Sequence, residues 1–284
     1  MMWLEAKKQF LEQLSAASTR KGYSQNLMQF EQYLATEGML VPFKLTEVTK
    51  EHIQSYLNHL ETEKQCKAST SQRYYYALSS FFTYAWEKKW ISFRPTIGVE
   101  LKTLVKKKPV FITKRECHEL IQQIPNLVIA MAILCQFETG LRVAECLALK
   151  IDDISFDCNR ILVKEGKGGK NRFVPMNSTF SRKLANYLIH DRPVVEGSYV
   201  FATKRTGKLS AAYLNREIKK AVQALGWKQH ITCHTLRHSF ASHQMNSGVP
   251  IVQIQRWLGH ESLASTGVYA HLELDREINQ QLNV

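Results

Sequence analysis

Apolar residues in the first third of the chain recur at helical spacing, and that pattern stops between Pro95 and Pro109. Tyr23, Leu27, Phe30 and Leu34 fall on one face of a stretch that Ser18 can cap and Gly38 can end. Thr49 can cap a second stretch, with Ile53, Tyr56, Leu57 and Leu60 inward. A third runs from Ser69 to Lys88, with Tyr74, Leu78, Phe81, Phe82 and Ala85 inward. Pro95-Thr96-Ile97-Gly98 then breaks the helical pattern, and Lys106-Lys107-Lys108-Pro109 is a basic run with no apolar period. The spacing predicts a helical domain over 1–94, a linker over 95–109 and a second domain over 110–284.

The second domain has a mixed texture. Thr113 can cap a helix through Ile124, and an apolar helix runs from Asn126 to Glu138. Thr139-Gly140-Leu141-Arg142 then leads into a helix through Leu149. Arg160 to Lys164 and Arg172 to Pro175 read as short strands around Glu165-Gly166-Lys167-Gly168-Gly169-Lys170, a β-hairpin with a glycine-rich, lysine-bearing tip. Helical patterns dominate from there to the end. The expected fold is mainly α with a small β-sheet, the second domain being α+β.

Charge narrows the partners. Across 284 residues there are 38 Lys and Arg against 25 Asp and Glu, a net charge of +13. Both halves are basic, which suits contact with a long polyanion, nucleic acid above all, although excess charge also serves solubility. A membrane-surface segment would be one dense basic cluster. Leu127 to Cys135, the longest near-apolar run, falls far short of the ~20 residues that span a bilayer. Met1 to Phe10 has no apolar leader. The six cysteines form no C-x-x-C pair, which argues against a zinc ribbon and for buried thiols in a reducing compartment. These features point to a cytoplasmic protein with no membrane partner.

Four clusters can carry chemistry: Thr139 to Glu145, the Lys167 hairpin, His234-Thr235-Leu236-Arg237-His238, and Leu258-Gly259-His260 followed by Tyr269. Each has a plain reading. Arg142 can pair with Glu145 at i, i+3 on a helix. Lys167 can be a solvated tip, and its surroundings lack the G-x-x-x-x-G-K-[ST] pattern of a nucleotide loop. His234 and His238 have a zinc-compatible spacing, but Thr235 stands where a metalloprotease needs Glu, and Arg237 would repel a cation. Together the clusters supply what phosphoryl transfer needs. Two arginines can fork onto non-bridging oxygens, a lysine or histidine can protonate a leaving oxygen, and a tyrosine hydroxyl can attack. Such chemistry calls for no cofactor, metal or ATP.

His234 to His243, Ile254-Gln255-Arg256-Trp257-Leu258-Gly259-His260 and Tyr269-Ala270-His271, with Thr139-Gly140-Leu141-Arg142 and Gly166-Lys167-Gly168, resemble the tyrosine recombinase (lambda integrase) family. Ser18 to Gly38 resembles the core-binding domain of Xer-type members. Among branches, the resemblance is Xer-like and extends to phage-type integrases and transposon-borne resolvases. It implies a two-domain, C-shaped clamp on duplex DNA. It also implies that Arg142 and Arg237 hold the scissile phosphate, Lys167 protonates the departing 5′-oxygen, and His234 exchanges a proton with Tyr269. His260 would hydrogen-bond the phosphate, Glu145 would support the site, and Tyr269 would form a 3′-phosphotyrosine.

DNA contacts are expected from Lys67, Ser71 and Arg73, from Lys106, Lys107 and Lys108 of the linker, and from Lys170 and Arg172 of the hairpin. Leu274, Ile278 and Leu282 form a narrow terminal stripe. By resemblance that stripe docks into a neighbouring protomer of a homotetramer holding two DNA sites with inverted half-sites. Strand exchange would pass through a Holliday junction, for integration, excision or resolution. The sequence departs from the family at Gln244-Met245, where two apolar residues are usual, and at Gly267, where a bulkier residue is common. A type IB topoisomerase and a non-catalytic DNA-binding regulator are the alternatives. The terminal stripe and the full set of catalytic positions argue against them.

Overall fold

The structure, a computed structural model, describes residues 1–104, 110–164, 171–205 and 207–259. The chain forms two compact units, Met1–Lys107 and Lys108–Val284. Among the described residues no helix is long and apolar enough to cross a membrane.

The first unit packs α1 (Trp3–Glu12), α2 (Ala17–Thr36), α3 (Lys50–Thr62) and α4 (Ala68–Glu87) around one aromatic core. Helix α1 has no side-chain cap to announce it in the sequence. Trp3, Ala6 and Phe10 are its buried face, and the Trp3 ring lies 5.0 Å from that of Phe81 and 5.2 Å from that of Phe43. Thr49 caps α3 as expected, accepting from the His52 N–H. Ser18 does not cap α2, which begins one residue earlier, at Ala17, and has no side-chain cap. Gly38 follows its end with a φ of 90°.

The first residues of the expected linker are held to the first unit. Thr96 is buried, and Tyr75 Oη donates to its carbonyl at 3.2 Å. Glu100 N–H donates to Gln54 Oε1 at 2.8 Å, and Gln72 Nε2 donates to the Lys102 carbonyl at 2.6 Å. Residues 95–102 are thus laced to α3 and α4, because side chains there supply the hydrogen bonds that an irregular segment cannot make for itself.

In the second unit, α5 (Lys114–Gln122), α6 (Leu127–Thr139) and α7 (Val143–Ala148) precede a sheet of β1 (Ile154–Ser155), β2 (Arg160–Val163) and β3 (Arg172–Pro175). The sheet is antiparallel in the order β1-β2-β3, with Arg160 opposite Pro175 and Val163 opposite Arg172. Then come α8 (Ser178–Asn186), a π-helical turn over Tyr187–Asp191, α9 (Ala211–Ala224), α10 (Cys233–Asn246) and α11 (Ile251–Leu258). The expected fold class, mainly α with a small sheet, is what forms.

Thr113 and Asn126 cap α5 and α6 as their sequence positions predict. Helix α6 is apolar all round because it is the buried centre of the unit. Helix α10 packs along α6. Ile112 is stitched to α10 at both of its backbone groups: its N–H donates to Ser239 Oγ, and its carbonyl accepts from His243 Nε2, each at 2.9 Å. Cys117, Cys135, Cys146 and Cys233 are buried free thiols, whereas Cys158 is exposed. Burial pushes the Cys117 and Cys233 thiols up to about 12.

Candidate active site

Helix α6 ends at Gly140, whose φ of +65° few other residues adopt. A Cβ there would stand 2.4 Å from Phe240 Cδ1 and 2.8 Å from Leu258 Cδ2. Glycine therefore lets the end of α6 approach both α10 and α11. The chain turns at once into α7, with Arg142 at its N-cap. Glu145, three residues on, accepts from the Arg142 backbone N–H and from its Nη1, both at 2.8 Å.

Glu145 has a second arginine. Arg172 on β3 donates through Nη1 to Oε1 at 3.0 Å and through Nη2 to Oε2 at 2.7 Å, a bidentate pair. Burial pushes the Glu145 carboxyl up, but the hydrogen bonds from Arg172 and Arg142 and the charge of Arg172 outweigh it. The carboxyl ends below its ordinary range.

Arg237 lies buried on α10. Its Nη1 donates to the Gly140 carbonyl and its Nη2 to the Leu258 carbonyl, both at 2.7 Å. Arg142 Nη2 donates to the Gly259 carbonyl at 2.6 Å, and Arg172 Nε to the Trp257 carbonyl at 2.8 Å. Three successive carbonyls at the end of α11 thus each accept from a different arginine. Carbonyls at a helix C-terminus lack partners within the helix and carry the negative end of its dipole. Gly259, with φ +66°, closes this end, and a Cβ there would meet the Arg172 guanidinium at 3.0 Å.

The fold therefore brings Arg142, Glu145 and Arg237 into one cluster, with Gly259 tied to it. His234 is exposed on the first turn of α10. His238, one turn on, is half-buried. Burial lowers its pKa, and the charges of His234 and Arg237 lower it further. Lys106, Lys107, Lys108, Lys167, Lys170, His260, Tyr269, Leu274, Ile278 and Leu282 lie outside the described residues.

Two expected DNA contacts are corrected. Ser71 is 2% exposed. It falls three residues before Tyr74 and so shares the buried face of α4. Arg172 has a side chain only 12% exposed, and it is turned onto Glu145 and Trp257 rather than outward. Lys67 and Arg73 are exposed, and the Arg73 guanidinium sits 5.3 Å from the centre of the Tyr74 ring.

A basic groove of about 810 Å³ on the second unit, not apparent in the sequence, is lined by Lys204, Arg205, Lys208 and Arg216. Arg216 lies 4.8 Å from the centre of the Tyr213 ring, and Lys208 lies 5.1 Å from that of Tyr199. The basic turn Lys204-Arg205 was the available signal. Arg216 joins it only through the placement of α9.

The sequence pattern of the phage integrase family matches residues 110–276, and that of the phage integrase N-terminal SAM-like domain matches residues 4–92. The chain belongs to the phage integrase family. Its relatives agree. A tyrosine recombinase of Pseudothermotoga lettingae is 32% identical over 246 residues, covering 84% of this chain and 83% of that protein. The tyrosine recombinase XerC of Syntrophus aciditrophicus is 32% identical over 285 residues, covering 94% and 91%. A solved lambda integrase (75–356) dimer bound to a COC′ core site shares the fold, with a TM-score of 0.76 at 19% identity over 95% of both chains. The resemblance read from the motifs is borne out: the chain is an Xer-like tyrosine recombinase of this family.

Proposed function

We propose that this chain is a site-specific DNA recombinase that breaks and rejoins strands through a 3′-phosphotyrosine at Tyr269 and a Holliday junction. The observation that carries this reading is the convergence of Arg142 and Arg237 on the ends of α6 and α11, braced by Glu145, in a chain of the phage integrase family.

In the reaction, Arg142 and Arg237 hold the non-bridging oxygens of the scissile phosphate, where negative charge grows in the transition state. Tyr269 Oη bonds to phosphorus as its proton passes to His234. The bond from phosphorus to the 5′-oxygen breaks, and Lys167 protonates that oxygen. His260 donates a hydrogen bond to the phosphate. The free 5′-hydroxyl of the partner strand then attacks the phosphotyrosine, so the number of phosphodiester bonds is conserved and no energy source is consumed.

DNA is the partner. The excess of basic residues, +13 over the chain, supports contact between a DNA duplex and both units. Lys67, Arg73 and the linker lysines 106, 107 and 108 face its backbone, with Lys170 at the hairpin. Two protomers occupy inverted half-sites, and two such sites pair in a tetramer. The terminal stripe of Leu274, Ile278 and Leu282 docks each protomer onto the next. The buried free thiols support action on DNA in the reducing cytoplasm.

The test mixes purified protein with a supercoiled plasmid carrying the DNA that flanks its gene, beside Tyr269→Phe. A denaturant-resistant protein–DNA adduct in the wild type alone is expected; an adduct in both names the wrong tyrosine. Leu274→Asp with Ile278→Asp should lose recombination and keep DNA binding. Unchanged recombination would overturn the docking role.

A further inference from the structure

Arg172 takes part in none of the steps above, yet all three of its guanidinium nitrogens are bonded within the site. Its two Nη groups hold both oxygens of Glu145, the carboxylate that Arg142 also grips from its backbone and its guanidinium. Its Nε reaches the Trp257 carbonyl, beside the carbonyls that Arg237 and Arg142 hold. Gly259 leaves just the space its guanidinium needs. The Arg172 side chain is 12% exposed and that of Glu145 is 11%, against 28% for Arg142. The three are layered with Glu145 between the two guanidiniums, and Arg142 is the most exposed of them.

Charge gives the layering a purpose. Glu145 alone would cancel Arg142, the two being 2.8 Å apart. With Arg172, two guanidiniums share one carboxylate, and the trio of Arg142, Arg172 and Glu145 keeps one net positive charge beside that of Arg237. Glu145 can then orient Arg142 without neutralising it.

We propose that Arg172 is a positioning residue for strand cleavage, acting as the counter-charge to Glu145 and as the brace between β3 and the end of α11. This rests on the recombinase reading and extends it to a residue that does not touch DNA.

The test compares wild type, Arg172→Met, Arg172→Lys, Glu145→Gln and the Glu145→Gln/Arg172→Met double variant. Single-turnover adduct formation is measured on the same plasmid across a range of protein concentration. Arg172→Met should lower the cleavage rate at saturation by roughly 100-fold, the scale of losing one preorganised donor, and shift half-saturation by less than about 3-fold. The double variant, with the buried negative charge also gone, should recover at least about ten-fold of that loss. Arg172→Lys should recover part of it, lacking the bidentate fork.

A second measurement needs no DNA. In urea unfolding, Arg172→Met should lower the midpoint less in the Glu145→Gln background than in the wild type, because it no longer strands a buried carboxylate. Equal losses in both backgrounds would overturn the bridge itself. A cleavage rate that is unchanged in Arg172→Met, or that falls without recovering in the double variant, would overturn the positioning role. A wild type that forms no adduct while the unfolding coupling holds would count against the recombinase reading and leave the bridge standing.

Discussion

Replacing Gly140 with alanine tests how the site is assembled. Two costs can be read from the geometry. The φ of +65° lies in the left-handed region, which costs a non-glycine residue roughly 1–2 kcal/mol. The new Cβ would also lie 2.4 Å from Phe240 and 2.8 Å from Leu258. Both side chains are buried, at 2% and 0% exposure, so neither can swing into solvent. Forcing them aside is overpacking, worth about 1–3 kcal/mol. The sum is roughly 2–5 kcal/mol, and at 2–4 °C per kcal/mol for a unit of this size the melting point should fall by about 10 °C.

Gly226→Ala in the same unit is the control. Its φ is +67° and nothing lies within 4 Å of its would-be Cβ, so it carries the backbone cost alone, roughly 1–2 kcal/mol. Differential scanning calorimetry on the two variants and the wild type separates the terms. The reasoning fails if Gly140→Ala melts no lower than Gly226→Ala, for then the close approach of α6 to α10 and α11 is not what glycine is there to allow. Because Arg237 donates to the Gly140 carbonyl, Gly140→Ala should also cleave DNA more slowly at temperatures where it remains folded.

Other outcomes follow from the same geometry. The His238 pKa is lowered in the fold, so the unfolded chain binds more protons there and stability is lost as pH drops below the ordinary 6.5. His238→Gln should lose less urea resistance than wild type between about pH 7.5 and 5.5, and parallel losses would refute the burial argument. Asn126 Oδ1 caps α6 by accepting from the Val128 and Ile129 N–H groups at 3.0 and 3.3 Å; Asn126→Ala should cost about 1 kcal/mol in unfolding free energy. If the groove on the second unit follows a DNA backbone, Lys204→Ala and Arg216→Ala should each weaken DNA binding across sequences. Each should also reduce the slope of log affinity against log salt by about 1 in filter or fluorescence titrations. An unchanged slope would remove the groove from the DNA path.

What the sequence determined by itself is local. A helix start depends on one side chain reaching an N–H two or three residues on, so Thr49, Thr113 and Asn126 are legible as caps in the string. The pairing of Arg160–Val163 with Arg172–Pro175 is likewise set by short-range alternation. The motifs that resemble the family are legible because most are contiguous runs, and their combination names the family.

What the tertiary structure decided is which partner each residue meets. Periodicity marks the apolar face of α4, but a small polar residue such as Ser71 is silent about lying on it until Tyr74 and its neighbours are packed. A guanidinium in a string reads the same whether it faces a phosphate or a carboxylate. Arg172 looked like a DNA contact because its acceptors, Glu145 and Trp257, lie 27 and 85 residues away. Only the folding of β3 against α7 and α11 brings them within hydrogen-bond range, and once buried there the arginine must be paired, because an unpaired charge in that position costs more than the fold can spare.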